Sequence, residues 1–329
     1  MRPPSPGSGE DALLAGLRRR LARRGHDRLG DDAAVLPGTG ASWAVTVDQQ
    51  IEEVHFPPGT PAEQWARRLV AVCLSDVAAM GGRPMYAFLA LQVAAGLDAR
   101  VALEAVADGC AEHGTELAGG DIAGDCRSGG TLTVLARLGA GGRWLRRSAA
   151  RPEDSLWLGG PVGWSRLGRD LQEPGALEAL PETLRRRAGE ALRIHRRPAP
   201  QLALGQALSR RPRCAAIDVS DGLALDLHRL CLESGVGATI VRERLPEPPA
   251  ELAAALGHDA LDCSLHGGED YVLLFALPPD RPPPRDHRAV HIGTVTRRRG
   301  LRLVDRDGRA APLAPGGWDH LDALGGCSD

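Results

Sequence analysis

A short apolar run that turns, within a few residues, into a helical repeat constrains this chain more than any other feature. Residues 215–219 are apolar apart from Asp218, and Leu223, Leu227 and Leu230 then recur at helical spacing until Gly235 supplies a stop. Strand, turn and helix are expected in that order. The turn carries Asp218, Ser220 and Asp221 beside Gly222, oxygen-bearing side chains at the mouth of a strand, where α/β proteins hold ligands. Taken alone, the same residues fit a helix cap and a glycine turn equally well. Other acidic turns decide between the two.

The alternation recurs on both sides of this stretch. Residues 11–24 carry Leu13, Leu14, Leu17 and Leu21 on one side of an amphipathic helix, with the arginines as its wet face. Gly30, Asp31 and Asp32 form a turn before the apolar residues 33–36, and a strand over 43–47 ends at Asp48. Helices over 63–80 and 98–113 flank a buried strand at 87–93, and Gly119, Gly120 and Asp121 open a glycine-rich loop before a strand at 131–138. Residues 139–154 are rich in Gly and Arg and contain an Arg-Pro step, which marks a domain boundary. We therefore expect a disordered tail over 1–10, one domain over 11–148 and a second over 149–329. Strands at 155–159, 238–241, 271–277, 289–293 and 301–304, with helices at 185–194 and 198–209, repeat the pattern in the second half. The fold class that follows is α/β or α+β in two layered domains.

Composition narrows the function. A net charge of -2 with 3% aromatic residues argues against a nucleic-acid or membrane-surface partner, and the arginines of 185–197 read as a solvated helix face. The best apolar run, 69–80, is broken by Asp76, and the N-terminal residues lack a signal-peptide core, so no export and no membrane span are expected. Seven Cys without a C-x-x-C pair suit buried, reduced thiols in a cytoplasm. All 40 basic residues are Arg. Without lysine, a Walker A loop, a protein-kinase-type lysine and Schiff-base chemistry are excluded. Any phosphate must be neutralised by metal ions, Arg and backbone N–H groups.

Asp32, Asp48, Asp76, Asp121, Asp218 and Asp221 all sit at predicted element ends, several beside Gly. One such Asp is ordinarily a cap. Six together suit hard cations such as Mg²⁺, which take oxygen ligands and share them with nucleotide phosphates. Filled with such ions, the cluster bridges phosphates instead of repelling them.

The motifs Gly30-Asp31-Asp32-Ala33-Ala34-Val35-Leu36, Asp48 through Val54-His55-Phe56, Leu74-Ser75-Asp76-Val77-Ala78-Ala79-Met80-Gly81, Gly119-Gly120-Asp121, Arg147-Ser148, Ile217-Asp218-Val219-Ser220-Asp221-Gly222-Leu223 and Gly267-Gly268-Glu269-Asp270-Tyr271 follow one another along the chain. Their order and spacing resemble thiamine-monophosphate kinase from about residue 30 to Trp318. Each motif alone is weak; seven in order are specific. The resemblance implies a two-domain fold of the aminoimidazole-ribonucleotide synthetase (PurM-like) superfamily and a homodimer through the N-terminal domains. It implies direct transfer of the ATP γ-phosphate to thiamine monophosphate with several Mg²⁺ ions. By the same resemblance Asp32, Thr46, Asp48, Asp76, Asp121, Asp218 and Asp221 bind metal. Gly120, Asp121, Arg147 and Ser220 contact ATP, and His55, Glu269 and Trp318 line the acceptor site. No residue is assigned as an acid or base.

Three positions depart from the family pattern. Glu53 replaces a Gly near His55 within Asp48-Gln49-Gln50-Ile51-Glu52-Glu53, which is expected to close space or add repulsion beside a phosphate. Ile122 replaces the common Thr after Gly-Gly-Asp, removing a hydroxyl beside the metal site, and Val47 stands where a second hydroxyl residue is frequent. The competing readings are a hydrogenase-maturation dehydratase, a selenophosphate synthetase and a non-catalytic nucleotide or thiamine-phosphate binding protein. The first needs a Cys at its very C-terminus, whereas Cys327 is followed by Ser328 and Asp329; the second uses a lysine and an early reactive Cys, whereas Cys73 is the first here. The third leaves like charges buried without a metal.

Overall fold

The computed structural model describes residues 10–24, 28–39 and 41–319. The first part runs α1 (Glu10–Ala22), β1 (Ala34–Leu36), β2 (Trp43–Ile51), α2 (Ala62–Ala79), β3 (Arg83–Val93), α3 (Ala99–Glu112), β4 (Glu116–Gly124) and β5 (Gly129–Arg137). Its sheet has the order β1-β2-β5-β3-β4, antiparallel except where β4 runs parallel to β3. Alternation along β2 turns Ala44, Thr46 and Gln50 inward beneath α2, while Val47 points outward. Among the described residues nothing covers the far face of this sheet, and Val47, Tyr86 and Phe88 stand exposed on it.

The second part comprises β6 (Ser155–Leu158), α4 (Trp164–Asp170), α5 (Ala176–Ala179), α6 (Glu182–Arg196), α7 (Leu202–Ser209), β7 (Ala215–Asp218), α8 (Leu223–Ser234), β8 (Gly237–Val241), α9 (Ala250–Ala255), α10 (Ala260–His266), β9 (Leu273–Leu277), β10 (Val290–Thr296), β11 (Gly300–Val304) and β12 (Ala310–Leu313). These strands order as β12-β11-β8-β10-β6-β9-β7. The leucines at 223, 227 and 230 bury against Leu156, Ile217 and Leu274 on one face of that sheet. Phe275 and Leu273 on its other face meet Leu204 and Leu208 of α7 and Ala78 of α2.

Helix α2 links the two sheets. Pro61 precedes it, where a missing N–H costs nothing. It is buried on nearly every side because it packs on β2 and β5 on one flank and on α7 and β7 on the other. Strand, turn and helix at 215–234 follow the sequence pattern, and Asp98 caps α3 by accepting from the Arg100 N–H at 3.1 Å.

Four local expectations need correction. Gly119, Gly120 and Asp121 lie inside β4, not in a loop: a Cβ on Gly120 would sit 1.9 Å from the Leu89 carbonyl oxygen, so the glycine serves close strand approach. Asp48 lies inside β2, not at its end, because the ladder to β5 continues through Asp48 opposite Leu132. Tyr271 has φ 51° and precedes β9, which starts at Leu273. Helix α1 buries no residue, and Leu13 is 65% exposed; Arg19 and Arg20 stand in solvent as expected, while Arg18, partly exposed, pairs with Glu233 and Asp11 pairs with Arg229 at 3.1 Å.

Among the described residues no helix is long and apolar enough to cross a membrane. Cys73, Cys110, Cys214, Cys231 and Cys263 are buried and Cys126 is exposed, while Cys327 and the N-terminal residues 1–9 lie outside the described residues. Burial pushes the Cys110 and Cys263 thiols up to about 11 and the Cys231 thiol up to about 12, which keeps them protonated and inert.

The junction of α2 and α7 yields a test. A Cβ on Gly205 would lie 2.0 Å from the Ala78 carbonyl oxygen, a backbone atom that cannot move aside. Gly205→Ala is expected to destabilise the protein by about 2 kcal/mol through overpacking, read as a lower denaturant midpoint at unchanged m.

Candidate active site

Strand β7 delivers Asp218 to its carboxyl end, and the chain then turns sharply into α8. Gly222 holds φ 130° there, with a Cβ position 3.2 Å from His266, so the turn requires glycine. Asp226, fully buried in the first turn of α8, accepts the backbone N–H groups of Ser220 (3.1 Å), Asp221 (3.0 Å) and Gly222 (3.2 Å). Arg229 donates to Asp226 at 3.0 Å and also to Asp221. The turn is therefore built on a carboxylate that sequence reading did not single out. Its place four residues after Gly222, within helix reach of the turn's N–H groups, was the available signal.

Facing this turn is the C-terminal end of α2. Ser75 Oγ donates to Asp218 Oδ2 at 2.6 Å, and Thr46 Oγ1 of β2 donates to Asp76 Oδ2. Asp32, Asp76 and Asp218 each place a carboxylate oxygen within 4.8 Å of the other two. Asp48 adjoins through Asp76. Burial, reinforced by neighbouring carboxylates, pushes Asp76 and Asp218 well above the usual carboxylate range and Asp48 up to about 7. Arg147 meets the group from one side, its Nη2 2.8 Å from Asp32 Oδ1. One guanidinium cannot balance so many carboxylates. The donor set is all oxygen, which fits a hard divalent cation.

Asp48, Asp76, Asp218 and Asp221 open into a cleft of about 230 Å³ lined also by Gln50, His55, Ser220, Glu269, Tyr271 and Trp318. His55 Nδ1 accepts the Ile51 N–H at 3.1 Å, which leaves the proton on Nε2. Trp318 is held by its backbone N–H, which donates to the Asp221 carbonyl at 2.9 Å, with the Arg169 guanidinium 5.7 Å from its ring. Glu269 pairs with Arg68 of α2 at 2.6 Å. Burial alone would raise the Glu269 carboxyl, but the Arg68 charge and hydrogen bond hold it below the usual range. Its neighbour Asp270 accepts from the N–H groups of Gly163 (2.7 Å) and Ser165 (3.2 Å) at the start of α4. Sequence reading also missed Gln50, 1% exposed in the cleft wall, and Arg68, 3% exposed, which directly precedes the apolar run 69–80 and reads there as part of a polar helix start.

One chain thus brings together Asp32, Thr46, Asp48, Asp76, Asp218 and Asp221, with Arg147, Ser220, His55, Glu269 and Trp318 around them. Gly120 and Asp121 are not among them. They are exposed on β4, separated from β2 by β5 and β3, three strand spacings or about 14 Å. Ile122, 56% exposed, lies on β4 beside Asp121 and away from the cluster, and Val47, though next to Asp48 along β2, is 58% exposed on the opposite face of the sheet, so within one chain neither position removes a hydroxyl from the cluster. Glu53 does not line the cleft either: it sits at φ 67°, half exposed, paired with Arg127 at 2.9 Å. Glycine holds such a turn without strain, which explains why Gly suits the position.

Removing the carboxylate under the turn provides a test. Asp226→Ala strands three backbone N–H groups and removes one of the carboxylates that pair with Arg229, and is expected to cost about 3 kcal/mol, measured as a shift in the chemical unfolding midpoint.

Comparison with known proteins bears on the family. Residues 30–140 match the family model of the AIR synthase related protein, N-terminal domain. The thiamine-monophosphate kinase of Salmonella typhimurium is 35% identical over 255 residues, 76% of this chain and 76% of that protein. The solved complex of AaThiL with AMPPCP and TMP superimposes with a TM-score of 0.83 at 27% identity, covering 97% of this chain and 99% of that one. The hydrogenase maturation protein HypE in complex with ATP, 21% identical with a TM-score of 0.63 over 96% of this chain and 97% of that one, shares the fold alone. The chain belongs to the thiamine-monophosphate kinase family.

Proposed function

We propose that the protein transfers the γ-phosphate of ATP to thiamine monophosphate, giving thiamine diphosphate. One observation carries the reading: a cluster of carboxylates within 4.8 Å of one another opens into the same cleft as His55, Glu269 and Trp318. Asp32, Asp48, Asp76, Asp218 and Asp221, with Thr46, would hold Mg²⁺ ions, which supply charge neutralisation to the phosphates. The attacking atom is the acceptor's own phosphate oxygen, so the chain's task is to position and to exclude water. Arg147, steadied by Asp32, and Ser220, at the α8 turn, contact ATP. His55 offers its Nε2 proton to the acceptor phosphate, and the Trp318 ring packs on the acceptor heterocycle, with the Glu269 carboxylate opposite its cationic thiazolium.

The domain division after residue 148 is part of this proposal and is supported by two sheets lying on either side of it, 34–137 and 155–313. A homodimer through the uncovered face of the first sheet is supported by exposed Val47, Tyr86 and Phe88 on its strands, with Trp43 packed against Tyr86, apolar surface of the kind that marks an interaction site. ATP and metal roles for Gly120 and Asp121 require a second copy to bring its β4 beside this cleft, since β4 lies far across the sheet within one chain. A cytoplasmic location is supported by five buried, unpaired thiols.

With ATP labelled at the γ-phosphate, label is expected in thiamine diphosphate, with free thiamine a poor acceptor and EDTA abolishing transfer. Hydrolysis without transfer, or full activity in EDTA, overturns the reading. Light scattering at micromolar concentration is expected to give twice the chain mass, and Phe88→Glu, which places a charge on the uncovered sheet face, is expected to give a monomer; a monomeric wild-type protein would refute the assembly.

A further inference from the structure

We propose that Arg68 is a positioning residue for the acceptor: from within α2 it fixes the loop that carries Glu269, and so sets how tightly the phosphorylated acceptor binds. The inference rests on the transfer reading above. Arg68 is 3% exposed in a helix otherwise buried through apolar side chains. Its Nη2 donates to Glu269 Oε1 at 2.6 Å, its Nη1 donates to the His195 carbonyl at the end of α6, and its guanidinium lies 5.5 Å from the Tyr271 ring centroid. One cation thus ties the helix between the sheets to α6 and to both ends of the segment Glu269-Asp270-Tyr271.

That segment needs such a tie. Glu269 and Tyr271 hold φ of 60° and 51°, left-handed values that side-chain-bearing residues rarely adopt. Its backbone is pinned to the acidic turn by Glu269 N–H to the Ser220 carbonyl (2.6 Å) and Tyr271 N–H to the Val219 carbonyl (2.8 Å). Asp270 is pinned to α4. The Glu269 side chain is fixed in addition by Arg68, while the nearby His195 Nδ1, 3.7 Å from Glu269 Oε2, belongs to a ring that burial keeps neutral, its pKa pushed down to about 3. Without Arg68, the carboxylate loses the full charge that holds it against the cleft wall. A lysine keeps the charge but, as a single ammonium on a flexible stem, does not reproduce the fork reaching both Glu269 and His195.

A merely structural Arg68 predicts lower stability with no preference between substrates; a positioning role predicts a split. Steady-state kinetics on Arg68→Met, Glu269→Gln and the double variant are expected to show the acceptor KM raised about tenfold in each, with the ATP KM nearly unchanged. The double variant is expected to be no worse than the more affected single one, because both remove the same contact. Arg68→Lys is expected to raise the acceptor KM less than Met does, and it carries the test by itself if Met prevents folding. An unchanged acceptor KM in Arg68→Lys and Arg68→Met, equal rises in both KM values, or additive effects overturn the proposal. Calorimetric titration of thiamine monophosphate into the same proteins reads positioning without turnover. A wild-type protein that binds thiamine monophosphate but transfers no phosphate therefore overturns the reaction and leaves the positioning result standing.

Discussion

Carboxylates forced together in a buried site repel one another, and much of this molecule is arranged around that repulsion. Asp32, Asp76 and Asp218 come from the turn before β1, the end of α2 and the end of β7, yet their oxygens meet within 4.8 Å. Burial and like charge oppose ionisation there, as the elevated Asp76 and Asp218 show. Fold stability does not benefit from such a cluster, whose all-oxygen donor set suits a hard cation. The hydroxyls of Thr46 and Ser75 and the Arg147 guanidinium orient the group, and they leave most of the charge uncompensated.

Helix α2 makes the arrangement possible. It is wedged between the first sheet and α7, with Gly205 allowing backbone contact at Ala78. Along its length it presents Arg68 to Glu269, Ser75 to Asp218 and Asp76 to the cluster. These positions are seven and eight residues apart, about two turns, so they share one stripe of the helix. One rigid element therefore sets the distance between the acidic end of the cleft and its acceptor end. A shift of that helix moves both together and keeps their spacing.

The positive φ values at Glu53, Glu269 and Tyr271 have different standing. Glu53 sits at the outer turn after β2 and pairs with exposed Arg127, so its strain concerns that turn alone. Glu269 and Tyr271 are in the cleft wall and are held by three separate anchors, as strain at a working site requires. The same local observation acquires functional meaning only where surrounding structure over-determines it.

Local and periodic information determined a good deal from the sequence alone. The strand, turn and helix at 215–234 were legible because a strand's apolar run and a helix's leucine period leave different traces, and Gly235 ends the second. The missing lysines excluded whole mechanisms, and ordered motifs pointed to the family. Tertiary structure alone decided which acidic turns meet. Asp121 and Asp76 look alike in sequence, each a carboxylate at a predicted element end, but strand order places β4 across the sheet from β2 while α2 ends at the cluster. Asp226 and Arg68 read as ordinary helix residues until the turn and the loop they hold were folded against them. A pairing across 201 residues, such as that between Arg68 and Glu269, leaves no periodic trace in a single chain, because it depends on how elements stack and not on how each one forms.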